Sequence, residues 1–83
     1  MSREDLRRVV LEALATVAPE IDLTTIAPRT SLRDQCDLDS VDFLNFIVGI
    51  HAATGCDIPE VDYPKLSTLE DCVTYLAPKC GAV

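Results

Sequence analysis

The sequence has no tryptophan, three glycines, one histidine, and seven basic residues against fourteen acids. Several of these shortages close a class of function. With His51 as the single histidine and no Gly-x-Ser-x-Gly elbow, no nucleophilic triad can be assembled, so the chain is not expected to be an enzyme in its own right. Cys36, Cys56, Cys72 and Cys80 include no Cys-x-x-Cys pair, and a zinc site would need distant ligands without the usual local spacing, so no metal is expected. A calcium loop fails because after Asp37 and Asp39 the next ligand position is Val41 and the required glycine position is Asp42. No apolar run approaches the roughly 20 residues needed to cross a bilayer, and Met1-Ser2-Arg3-Glu4-Asp5 lacks the apolar core of a signal peptide. The expected compartment is therefore the cytosol, where the four cysteines read as free thiols.

What is present is one small unit. At 83 residues and 48% hydrophobic composition, the chain is expected to form a single domain, residues 1–83, with a modest core. A compact start at Met1 and an end at Val83 without linker composition lead to the expectation of a freestanding unit and not a cut-out domain, and a monomer is expected. The net charge of −7 is concentrated: residues 31–71 hold nine acids against Arg33 and Lys65, while the flanks cancel. Such a stretch disfavours nucleic acid and anionic membrane surfaces and suits basic protein partners; a solvated acidic surface is the plainer alternative.

Leu6, Val9, Val10, Ala13, Leu14 and Val17 recur at helical spacing over residues 3–17, with Ser2 and Asp5 as a capping box and Pro19 as a stop. From Ala18 to Asp39 no period persists, which predicts a first loop of about 22 residues. It is either pinned across the core by Ile21, Leu23, Ile26, Leu32 and Leu38 or interrupted by a short helix after Thr30-Ser31. The second strong helix spans residues 40–54. Leu44, Ile47 and His51 lie along one line of its core side with Phe43, Phe46 and Ile50, and Val41, Asn45, Val48 and Ala52 form a neighbouring stripe that is either wider core or a docking surface. Gly55 caps its end, and His51 is expected at the C-terminal dipole, partly exposed. Glu60–Leu66 can hold only a short third helix with Pro64 near its first turn. Ser67-Thr68-Leu69-Glu70 reads as a capping box before Leu69, Cys72, Val73 and Leu76, and Pro78 ends that run. No segment alternates as a strand, so the expected fold is all-α: a small four-helix bundle with a long first loop and a short third helix.

Ser40 stands where the loop becomes the second helix. Its hydroxyl can serve as a helix cap, or it can carry a modification, and an anionic group there would be favoured by the positive end of the helix dipole. The residues alone leave both open.

The stretch Leu32-Arg33-Asp34-Gln35-Cys36-Asp37-Leu38-Asp39-Ser40-Val41-Asp42, with Ile58-Pro59 after the second helix and Ser67-Thr68-Leu69-Glu70-Asp71 opening the last, resembles the acyl carrier protein family over nearly the whole chain. Asp39-Ser40-Val41 matches that family's Asp-Ser-Leu motif. The resemblance implies that Ser40 is the attachment point of 4′-phosphopantetheine, transferred from coenzyme A by a phosphopantetheinyl transferase, and that the arm's thiol holds acyl groups as thioesters for presentation to partner enzymes. It further implies a recognition helix in which Asp39 and Asp42 supply charge, and Val41 and Val48 apolar contact, to acyl-loading and acyl-transfer enzymes with basic docking patches. Asn45, His51 and Ala52 occupy positions where fatty-acid carriers have acids, which points to a specialised fatty-acid, polyketide or related pathway. Asp37 stands where many relatives have glycine. The alternatives are an aminoacyl or peptidyl carrier loaded by an adenylating enzyme, and an acidic helical adaptor in which Ser40 is only a cap.

Overall fold

A computed structural model describes residues 1–80. Its elements in chain order are α1 (Arg3–Val17), a 3-10 turn (Leu23–Thr25), α2 (Leu32–Gln35), α3 (Ser40–Thr54), a 3-10 connector (Glu60–Leu66) and α4 (Leu69–Lys79). The described residues are all-helical, without strands. The expectation drawn from the end at Val83 lies outside them.

α1 begins with the capping box: the Asp5 N–H donates to Ser2 Oγ at 3.1 Å and the Ser2 N–H to Asp5 Oδ2 at 3.3 Å, satisfying two donors that the first turn leaves free. Leu6, Val10, Ala13 and Leu14 form its buried stripe, and α1 packs against both α3 and α4. The contact with α3 is close at Gly49, where a Cβ would lie 3.4 Å from that of Ala13.

The long first connection is both pinned and interrupted. Ile26, Leu32 and Leu38 are buried in the core. The Gln35 side chain folds the strand-free stretch back on itself, accepting from the Ala27 N–H at 3.0 Å and donating to Ala27 O and Thr30 O at 2.9 and 3.0 Å. Backbone bonds from Leu32 N to Ser67 O (2.8 Å) and from Glu70 N to Pro28 O (2.9 Å) attach it to the start of α4. Ser31 caps α2 through the Asp34 N–H at 3.3 Å.

Three local expectations are corrected. The last helix is capped one residue later than expected: Thr68 accepts from the Asp71 N–H at 3.0 Å, because Ser67 is already in right-handed helical conformation and its carbonyl is bonded to Leu32. Pro78 does not stop that helix, which runs on to Lys79. A proline in the last turn forfeits one N–H, and the Cys80 N–H still reaches Leu76 O at 2.8 Å. Pro64 lies in the middle of its connector, which is a 3-10 segment of seven residues opened by the Asp62 N–H to Pro59 O bond at 2.9 Å.

Candidate functional site

Ser40 is the first residue of α3, and it is not the cap. Asp39 holds that position: its carboxylate accepts from the Asp42 N–H at 2.7 Å, and the Asp42 carboxylate accepts from the Asp39 N–H at 3.4 Å. This reciprocal box removes the capping task from the serine and leaves its exposed hydroxyl free at the positive end of a 15-residue helix. The approach to the helix is a tight turn in which Asp37 takes a φ of 53°, the left-handed region that favours glycine. Asp37 thus keeps the backbone form that a glycine at this point would supply, and Leu38, buried beside it, donates its N–H to Arg33 O at 2.9 Å.

That turn brings Arg33 next to Ser40. Arg33 Nη2 donates to Ser40 Oγ at 3.4 Å, and its Cζ lies 5.6 Å from the centre of the Phe43 ring. Among the described residues Arg33 forms no ion pair, although Asp34, Asp37 and Asp39 are its neighbours in sequence. An unpaired guanidinium beside a free hydroxyl at a helix N-terminus fits an anionic group on that hydroxyl.

From Ser40 an open surface runs along α3. Arg33, Phe43, Leu44, Glu60 and Tyr63 line a groove of about 320 Å³ next to the serine, and Tyr63 also lines its continuation of about 440 Å³ with Ile47, Val48, His51 and Ile58. Tyr63 meets Phe43 edge to face at 6.1 Å, which fixes the middle of the groove floor.

The expected partner-facing residues separate into two groups. Val41 and Val48 are 66% and 54% exposed, so their stripe is outer surface and not wider core. Asp39 and Asp42 are bonded to each other's backbone, so their charges sit at the helix start in a fixed geometry. Leu44, expected in the core, is 47% exposed and stands between the two valines. The core side of α3 is Phe43, Phe46, Ile47 and Ile50, and Leu44 lies one position past Phe43, turned about 100° away on the helix. Its spacing from Val41 and Val48, three and four residues, was the available signal. Arg33 is the other residue that sequence reasoning missed as functional. Its signal was charge: it is the one Lys or Arg between Thr30 and Lys65.

His51 is exposed at the far end of α3, where Gly55, at φ 73°, caps the helix through its N–H to His51 O at 2.7 Å. The His51 Nδ1 lies 2.8 Å from Cys56 O, a carbonyl that only accepts, so this nitrogen carries the proton. The ring braces the cap and lies remote from Ser40. A separate cavity of about 300 Å³ beside Arg3, Arg7 and Pro28 is also remote from the serine, and there Arg3 is paired with Glu70 at 3.3 Å.

Residues 5–76 match the family described as "Phosphopantetheine attachment site". The chain is 29% identical over 76 residues to an acyl carrier protein of Rubrobacter xylanophilus, covering 92% of this chain and 93% of that one. It is also 29% identical over 81 residues to an acyl carrier protein of Lactobacillus acidophilus, covering 98% and 100%. The solved acyl carrier protein from Enterococcus faecalis shares the fold, with a TM-score of 0.78 at 20% identity over 94% of this chain and 98% of that chain. No helix of the described residues is long and apolar enough to cross a membrane. By its match over most of its length, the chain belongs to the acyl carrier protein family, whose phosphopantetheine-binding domain carries covalently attached 4′-phosphopantetheine.

Proposed function

We propose that this chain is a carrier whose 4′-phosphopantetheine is attached to Ser40, and that it presents acyl thioesters to partner enzymes. The observation that carries this reading is the division of labour at the start of α3: Asp39 and Asp42 cap the helix, and the exposed Ser40 hydroxyl is left without a structural task. When bound, the group supplies a thiol that holds the cargo as a thioester. The chain's own residues do the rest. Ser40 provides the anchoring oxygen once a phosphopantetheinyl transferase has acted on it. Arg33 and the first turn of α3 offset the negative charge next to that oxygen. Val41, Leu44 and Val48 offer an apolar strip, and Asp39 and Asp42 the adjacent negative charge, to partners with basic docking patches. Catalysis belongs to those partners, and tethering raises the cargo's effective concentration at their active sites.

The acyl cargo is supported by the relatives named acyl carrier proteins. A specialised pathway is supported by the limited charge of the recognition helix, which has Asn45, His51 and Ala52 beyond Asp42. Intact-mass analysis after co-expression with a broad-specificity phosphopantetheinyl transferase tests the attachment. The wild type should gain one arm and Ser40→Ala none; a wild type that stays unmodified, or a Ser40→Ala variant that gains equally, sinks the reading.

A further inference from the structure

Two of the four cysteines face each other. Cys56 Sγ and Cys80 Sγ lie 2.7 Å apart, although 24 residues separate them in the chain. Both are half-buried at the rim of the bundle, whereas Cys36 and Cys72 are enclosed in the core at 6% and 0% exposure. Their backbones are held on both sides. The Cys56 N–H donates to Thr54 Oγ1 at 3.2 Å and its carbonyl accepts from His51, while the Cys80 N–H is bonded to Leu76 O. Two thiols so held need little backbone movement to reach the bond length of about 2.05 Å.

We propose that Cys56 and Cys80 form a redox site, a dithiol that closes to a disulfide by exchange with a small-molecule disulfide of the glutathione class. The exchange balances in two steps. A Cys56 thiolate attacks one sulfur of the small disulfide, forming a mixed disulfide and releasing one small thiolate. The Cys80 thiolate then attacks the Cys56 sulfur, forming the internal bond and releasing the second. The two protons lost by the cysteines end on the two released thiols, and two electrons pass from the cysteine pair to the small disulfide. Burial, and then its bond to Cys56, pushes the Cys80 thiol up to about 11, so the resolving attack draws on the close range at which Cys80 faces Cys56 within the mixed disulfide and not on an abundant thiolate. Burial likewise pushes Cys72 up to about 12, and Cys36 upward, so the core pair stays inert.

Closure has a mechanical consequence. Cys56 immediately precedes Asp57, Ile58 and Pro59, which wall the far half of the groove along α3, and Cys80 ends α4. A bond between them ties that wall to the last helix, so the freedom of the groove wall becomes dependent on redox state. The site rests on the juxtaposition of the two sulfurs and not on the role of Ser40.

The test uses the full chain without its arm, reduced and then equilibrated with oxidised and reduced glutathione. The wild type should lose the mass of two hydrogens, carry no glutathione, and map to a Cys56–Cys80 crosslink within one chain. Dithiothreitol should reverse the change. Cys80→Ser should trap one glutathione on Cys56, because the resolving thiol is gone. Backbone amide exchange at Asp57 and Ile58 should slow by about tenfold in the oxidised wild type. Four thiols that remain alkylatable in oxidised glutathione, a crosslink joining any other pair or two chains, or unchanged exchange at Asp57 and Ile58 overturns the proposal.

Discussion

Arg33 Nη2 reaches Ser40 Oγ at 3.4 Å, placing the one cation between Thr30 and Lys65 against the hydroxyl that the capping box leaves unused. If the arm is attached at Ser40, its phosphodiester falls within reach of this guanidinium and of the α3 N-terminus. Converting the apo protein to the modified form should then stabilise it by about 0.3–1 kcal/mol at low salt. Arg33→Gln should retain only part of that gain, and 1 M salt should suppress it in both proteins. Thermal unfolding of the four species, with modification checked by mass, measures this; an equal gain in Arg33→Gln and wild type excludes the pairing.

The capping box separates the two residues of the Asp39-Ser40 pair energetically. Asp39→Ala should cost about 1 kcal/mol, because it strands the Asp42 N–H and breaks the reciprocal box. Ser40→Ala should cost less than about 0.5 kcal/mol, as an exposed helix position without a capping bond. Urea unfolding of both variants distinguishes them, and a larger loss for Ser40→Ala would reinstate the serine as cap.

Asp37 in left-handed conformation carries a local cost that glycine avoids. After subtracting the extra chain entropy that glycine brings to the unfolded state, Asp37→Gly should stabilise the protein by about 0.5 kcal/mol, and Asp37→Val should destabilise it by more than about 1 kcal/mol. Equilibrium unfolding gives both values; a destabilised Asp37→Gly would mean that the aspartate side chain itself supports the turn.

Leu44 contributes to the outer surface, so Leu44→Ala should change stability by less than about 0.5 kcal/mol, far below the roughly 2–5 kcal/mol of a core leucine. If the exposed strip of Val41, Leu44 and Val48 docks partner enzymes as proposed, the same substitution should lower kcat/KM for such an enzyme by about tenfold. A core-sized loss of stability would return Leu44 to the interior.

The pH dependence follows from a bonded pair. Asp62 accepts from the Tyr75 hydroxyl at 2.7 Å, and this bond, ahead of nearby Lys65, holds its carboxyl below the usual value of 3.8. Asp5 and Asp22 are lowered in the same direction by their bonds to Ser2 and Thr24. A depressed folded pKa contributes stability above the unfolded value that disappears as pH falls through the folded one, so acid should weaken the fold below about pH 3.8. Tyr75 is shifted the other way, up to about 12, by desolvation and then by Asp62. Its contribution is complete below its ordinary value of 10 and lost as pH rises from 10 to about 12. Denaturation midpoints across pH should show both declines, with the alkaline one reduced in Tyr75→Phe; an unchanged alkaline decline would remove Tyr75 as its cause.

Much of this was legible because local signals agreed. Ser2 with Asp5, Gly55 and the periodic runs of α1, α3 and α4 mark helices whose ends and core faces depend on residues within one or two turns. The Asp39-Ser40-Val41 triplet located the candidate anchor. The misread residues are those whose surroundings come from elsewhere in the chain. Ser67 is drawn out of the cap position through its bond to Leu32, and Leu44 is exposed because the elements packed on α3 approach from the Phe43 and Phe46 side.

By itself the sequence determined an acidic all-helical bundle, the place where α3 starts, and the serine at that start, since helix periodicity and capping chemistry act over a few neighbouring residues. Only the tertiary structure decided that Arg33 turns back onto that serine and that Cys56 meets Cys80. Those relationships depend on how a long connection folds and how the ends of α3 and α4 converge, and no local pattern encodes a distance between residues that the chain itself keeps apart.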